Sequence, residues 1–228
     1  MPRLVDHLES PPDFGRTDLE FELTHNPIGR QSNNRDGYRA FKDAVSSCVR
    51  PVQYLLSGEV QLEVEWYIHE RERYETDRSP DVDNILKPIL DGISGPDGLL
   101  INDCQVQAID CRWIDQAEES QSLFVRVRFM SDEWAPKKQL AFVHYGRSLC
   151  FPINLNLKPE GLLIVVNHVE KMLANSAEIE GLTGDYSLAK GVLPIQRLFH
   201  RSRLEPFQKI ELADLKRQLE REIQRKKT

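Results

Sequence analysis

The chain has 228 residues, 40% of them hydrophobic and 29% charged, with a formal net charge of −6. That is length for one large domain, or an ordinary domain with an appendage, and apolar content enough for a core. No apolar run approaches the roughly 18–20 residues of a membrane span, and the negative total argues against a protein that coats nucleic acid nonspecifically, while leaving room for a local basic patch.

The N-terminal stretch MPRLVDHLESPPDF shows no signal-peptide pattern, so a cytoplasmic protein is expected. The cysteines, Cys48, Cys104, Cys111 and Cys150, form no C-x-x-C pair. They read as reduced thiols rather than as disulfides or a zinc site. Residues 1–18, with Pro11-Pro12, hold little periodicity and read as a mobile N-terminal arm. Leu19, Phe21 and Leu23 alternate as in a half-buried strand. NPIGRQSNNRDG is a loop by its Asn, Gly and Pro content. Tyr38, Phe41, Val45 and Val49 then fall on one helical face, with Asn34 or Asp36 as the cap and Pro51 past the end. Val60, Leu62, Val64, Trp66 and Ile68 give the clearest strand in the chain. HERERYETDRSP reads as a charged loop. A helix follows, then the glycine-rich turn GISGPDG, then two strands at roughly residues 105–113 and 123–129.

Residues 19–131 thus read β-α-β-α-β-β, an α+β domain with a small mixed sheet and flanking helices. Residues 132–228 read as a mixed, largely helical C-terminal extension of unassigned role. LAFVHY and LCFPI are short strands. Pro159 opens a helix whose apolar face is Leu162, Val165, Val166, Val169, Met172 and Leu173. Short elements and the basic cluster RLFHRSR follow. The final helix sets Leu212, Leu215, Leu219 and Ile223 on one side, with acids early and bases late, as the helix dipole favours.

The chemistry concentrates in SPDVDNILKPILDG, residues 79–92. Ser79 precedes a proline and is held extended, while helical periodicity starts by Ile85. Asp81 and Asp83 therefore sit at a loop-to-helix junction, where carboxylates two apart can converge on one hard cation. Asp83 or Asn84 can also cap the helix. Lys87 lies one turn after Asp83 on the same face. Asp91 lies two turns from Asp83, about 12 Å along the axis, and reads as an ion-pair partner of Lys87. Asp103, in INDCQV, stands before a strand and can complete an oxygen-only set suited to Mg2+ if the turn folds that strand beside the helix start. On spacing alone, the D-x-D pair is equally a solvated cap, Asp103 a turn residue and Gln105 an exposed one.

Taken together, D-V-D-N, Lys87 three residues after Asn84, the LDG of residues 90–92 and the later NDCQV resemble the RusA family of Holliday junction resolvases. The resemblance covers residues ~19–130, and the early NPIGRQSNNRDGYRAFKDAV resembles that family's proline-and-asparagine loop leading into a helix. It implies a RusA-like fold and a Mg2+-dependent endonuclease, with Mn2+ as a substitute ion, that resolves branched DNA as a homodimer by metal-assisted hydrolysis. Carried over by position, Asp81, Asp83 and Asp103 are metal ligands and catalytic, Lys87 is the catalytic cation beside the phosphate, and Asn84 is structural support. Asn102 stands where the family commonly has an acid, which implies weaker metal binding or loss of a second ion. Bases that would hold DNA are Arg30, Arg35, Arg39 and Lys42 on the first loop and helix, and Arg71, Arg73 and Arg78 on the charged loop. The extension lies outside the resemblance and is a candidate site for a protein partner; no membrane association is expected. A non-catalytic DNA-binding or regulatory protein on the same fold is the main alternative. A phosphatase with an aspartyl nucleophile is weaker, since ETDRSP before the acids is polar and irregular rather than a buried strand.

Overall fold

The computed structural model describes residues 4–12, 15–24, 27, 35–76, 79, 81–118, 120–194 and 198–226. Contacts divide it into two compact units, Met1–Lys138 and Gln139–Thr228.

The first unit contains β1 (Arg16–Leu23), α1 (Arg35–Val49), β2 (Tyr54–Leu56), β3 (Val60–His69), α2 (Glu70–Tyr74), α3 (Val82–Ile93), β4 (Val106–Gln116), β5 (Ser122–Met130) and β6 (Trp134–Pro136). Its main sheet has the order β1-β5-β3-β4. β5 is antiparallel to both neighbours, while β3 and β4 are parallel. A parallel pair cannot be closed by a tight turn, and the long connection that joins β3 to β4 is the segment that carries α3. The sheet is mixed and the helices flank it, the α+β arrangement expected from the periodicity.

Alternation along β3 sends Leu62, Val64, Trp66 and Ile68 into the core and turns Glu63, Glu65 and Tyr67 the other way. The apolar face packs with Phe41, Val45 and Val49 of α1 and Ile85, Ile89 and Ile93 of α3. Each isoleucine of α3 is fully buried, a contribution of roughly 1.5–3 kcal/mol apiece. That anchors α3 and leaves its other side for polar groups. The opposite face of the sheet is a lattice of ion pairs. Arg126 meets Glu20 and Glu63, both at 2.6 Å, Arg128 meets Asp18 at 2.8 Å, and Arg112 meets Glu63 at 2.7 Å and Asp110 at 2.8 Å.

Several elements differ from the sequence reading. The first part of the charged loop is helix α2, capped by His69, whose Nδ1 accepts from the Arg71 amide at 3.0 Å. β2 and β6 pair antiparallel and carry the first unit past Ser131, where the sequence pattern changes. The N-terminal arm, read as mobile, is packed where it is described: Leu4 is buried in the core and the Leu8 carbonyl accepts from the Gln53 amide. Helix α1 begins at Arg35, so Asp36 lies in its first turn rather than at the cap, and Asn34 is outside the described residues.

The second unit contains β7 (Leu140–His144), β8 (Leu149–Asn154), α4 (Pro159–Thr183), α5 (Tyr186–Lys190), β9 (Phe199–His200), β10 (Lys209–Glu211) and α6 (Leu212–Arg225). Its sheet has the order β10-β7-β8-β9. Pro159 occupies the first turn of α4, and Leu162 and Val166 pack with Leu215 and Leu219 of α6 over the inner residues of β7 and β8. All four cysteines are free thiols.

Candidate active site

Helix α3 carries two faces of different chemistry. Ile85, Pro88, Ile89, Gly92 and Ile93 are buried. Asp83, Lys87 and Asp91 recur every fourth residue and so line one side of the helix. Asp81 occupies the cap position in an extended conformation, yet its carboxylate makes no capping bond to the backbone. Asn84, expected as support, is half-buried, and its backbone N–H donates to the Asp81 backbone carbonyl at 3.0 Å. Both Asp81 and Asp83 are exposed, at the helix end where partial positive charge favours carboxylates.

Lys87 is the hub. Its ammonium lies 2.7 Å from Asp91 and 3.2 Å from Asp103, which is sixteen residues further along the chain. The hydrogen bond to Asp91, more than that to Asp103, holds the Lys87 pKa above the ordinary lysine value, against the lowering effect of partial burial. Lys87 is therefore a cation at neutral pH, turned toward the end of its own helix and the Asp103 turn. The Asp91 pairing is the one the spacing suggested. A second partner of Asp91 was not legible: Tyr38, on α1, donates its hydroxyl to Asp91 at 3.1 Å.

Gly92 explains how α1 and α3 come so close. A Cβ there would stand 2.7 Å from Val45 Cγ1 and 3.0 Å from the Lys42 carbonyl. The glycine of the LDG stretch is a spacing residue between helices.

Asp103 begins a 3-10 turn, residues Asp103–Gln105, that leads into β4. Asn102 caps this turn, with Oδ1 accepting from the Cys104 amide at 3.0 Å. Gln105, for which exposure was one of the open readings, is completely buried and forms the other half of a capping box. It is buried because each polar atom of its amide has backbone partners, so no hydrogen-bonding capacity is lost on leaving water.

The structure thus brings Lys87 and Asp103 together on one polar surface with Asp91. Among the described residues, no three His, Cys, Asp or Glu side chains stand close enough to hold a metal ion as a preformed cage. The donor chemistry of Asp81, Asp83 and Asp103 nevertheless fits Mg2+, which takes one or two carboxylates and completes its shell with water and substrate phosphate rather than an all-protein cage.

Of the bases expected to hold DNA, Arg35 and Arg39 are exposed on α1, Lys42 is half-buried on the same helix, and Arg71 is exposed on α2. Arg73 is engaged within the protein: it pairs with Asp115 at 2.7 Å and its guanidinium lies 4.4 Å from the centre of the Trp113 ring. Its neighbours in the sequence gave no hint of that stacking. Arg30 and Arg78 lie outside the described residues.

Residues 22–128 match the family model described as endodeoxyribonuclease RusA. No curated protein matches the chain. The matched segment runs from β1 to β5 and includes Asp81, Asp83, Lys87, Asp91 and Asp103.

Proposed function

Through residues 22–128 the chain belongs to the endodeoxyribonuclease RusA family, and from that premise we propose that it is a Mg2+-dependent endonuclease that nicks branched DNA, four-way junctions foremost. Asp81, Asp83 and Asp103 would hold the cation, with Mn2+ able to replace Mg2+. A bound ion of this kind lowers the pKa of a water and neutralises charge on the scissile phosphate. The chain's own groups supply the rest. Lys87, kept protonated by Asp91, places positive charge where the phosphate gains negative charge in the transition state. Arg35, Arg39, Lys42 and Arg71 would meet neighbouring phosphates.

The observation that carries the reading is the Lys87–Asp103 contact. It joins the α3 motif to the turn before β4, the two stretches on which the family resemblance rests. A four-way junction offers two equivalent strands, and cutting both restores two duplexes. A two-fold dimer of this chain would present one site to each strand, in keeping with the commonest form of homo-oligomer.

The test is cleavage of a synthetic four-way junction, a flap, a linear duplex and a single strand, with and without Mg2+. Paired nicks in the junction that need the cation are expected. Tight junction binding with no cleavage under any divalent ion would instead favour a non-catalytic DNA-binding protein. Among the described residues no helix is long and apolar enough to cross a membrane.

A further inference from the structure

Gln105 is buried at 0% exposure, and its amide is saturated. Oε1 accepts from the amides of Ile101 and Asn102, at 2.9 and 3.0 Å. Nε2 donates to the carbonyls of Leu56 and Gly58, at 2.8 and 2.7 Å. A glutamine side chain has two acceptor sites and two donors, and all four are used. The partners also fix its orientation, since two amides face one side and two carbonyls the other. They belong to distant segments: the turn before Asp103, and the end of β2 with its connection to β3, 49 and 47 residues away. The Leu56 amide adds a bond to the Leu99 carbonyl at 2.8 Å, in the same strip of chain. Asp103 is held between these fixed points, with Asn102 pinned on one side and Gln105 on the other.

Filling the site needs only volume, which leucine would supply. Saturating two amides and two carbonyls needs this amide. We infer that Gln105 is the positioning residue for Asp103: it staples the Asp103 turn to the β2–β3 connection and so sets where the Asp103 carboxylate stands relative to Lys87 and the acids of α3. The inference rests on the nuclease reading above. Gln105 touches neither Asp103's carboxylate nor any substrate; it acts through the backbone on either side, much as groups behind a metal ligand fix that ligand's orientation.

The test compares Gln105→Leu, Gln105→Glu, Asn102→Ala and Asp103→Asn with the unaltered chain. The first takes the Gln105 partner away from four backbone groups. The second keeps the acceptor pair but sets a carboxylate oxygen against the Leu56 and Gly58 carbonyls. The third removes the bonds that the Asn102 side chain accepts from the Cys104 and Gln105 backbone amides and is the milder variant should Gln105→Leu not fold. The readouts are Mn2+ affinity by calorimetry without DNA, the Mg2+ concentration for half-maximal single-turnover cleavage of a four-way junction, and junction affinity. Expected for both Gln105 variants is a cation requirement raised about tenfold or more, a parallel loss of Mn2+ affinity and unchanged junction affinity; Asn102→Ala should shift the same way by less. A merely structural glutamine would lower the melting temperature and the active fraction without moving the cation requirement. Variants that fold and keep the cation requirement and Mn2+ affinity of the unaltered chain overturn the positioning role. Asp103→Asn that cleaves normally overturns the nuclease site itself, whatever Gln105 does.

Discussion

Tyr38 on α1 donates its hydroxyl to Asp91 on α3 across 53 residues of sequence, and Asp91 in turn holds Lys87. That hydrogen bond therefore ties the helix bearing Arg35 and Arg39 to the lysine of the candidate site. Tyr38→Phe removes the donor and keeps the ring. A net loss of about 1 kcal/mol in unfolding free energy is expected, with a modest fall in cleavage rate and no fall in junction affinity. Urea unfolding and single-turnover rates measure both, and a rate identical to the unaltered chain would disconnect Tyr38 from Lys87.

Asp81→Asn, Asp83→Asn and Asp103→Asn should each abolish most cleavage while the protein stays folded. Replacing a carboxylate by an amide removes a hard ligand and the repulsion between that acid and DNA phosphate. Junction binding should persist or tighten. Near-normal cleavage by Asp83→Asn would remove the α3 terminus from the site.

Lys87→Ala should slow cleavage more than it weakens binding if its charge acts on the transition state as proposed. Its pKa is raised in the fold, which gives the ion pair a definite pH signature. A cation with a raised folded-state pKa contributes its full stabilisation below the ordinary value and loses it as pH rises through the raised one. The stability gap between the unaltered chain and Lys87→Met should stay constant from neutral pH to the ordinary lysine value of 10.5 and shrink only beyond it. A gap that narrowed between pH 7 and 9 would contradict the assigned environment.

Gly92→Ala inserts a methyl 2.7 Å from Val45 Cγ1, with the Lys42 carbonyl 3.0 Å away. Backbone on one side cannot yield as a flexible side chain would, so α1 and α3 must separate. Overpacking of this kind costs about 1–3 kcal/mol. Lengthening of the Tyr38–Asp91 hydrogen bond should accompany it, so Gly92→Ala and Tyr38→Phe should be less than additive in a double-mutant cycle.

The dimer proposal makes a separate claim. Light scattering at micromolar concentration should give twice the chain mass for the protein alone, and two chains per junction in the complex with DNA. Only monomer under both conditions would end the two-fold cutting scheme and leave the individual site intact.

What the sequence made legible is what repeats along it. The alternation of Val60, Leu62, Val64, Trp66 and Ile68 places β3 face for face, and the apolar stripes of α1, α4 and α6 mark their buried sides. The position of Asp81 and Asp83 at a helix start followed from Pro80 and the onset of periodicity at Ile85. Elements too short for a period were missed: β2 and β6 span three residues each, and α2 five amid charge. The Gln105 burial and the Tyr38–Asp91 bond were illegible for another reason. Each depends on partners about fifty residues away, and nothing local distinguishes a glutamine at a turn that will be enclosed from one that will not. The only trace was its place in the NDCQV stretch. Arg73 misled in the same way, since its partners Asp115 and Trp113 arrive from β4, about forty residues on.

The lattice of Arg112, Arg126 and Arg128 on the polar face of the first sheet has a thermodynamic consequence for any polyanion. Those guanidiniums already carry carboxylates built into the same sheet, Asp18, Glu20, Glu63 and Asp110 among them. DNA settling there would have to displace fixed anions and would gain little from doing so. The entropy that drives phosphate binding comes from freeing small cations condensed on the nucleic acid as protein cations replace them. In this unit that release belongs to cations that carry no internal carboxylate. Thirty lysines and arginines in the chain therefore translate into a much smaller ionic dependence than their number suggests.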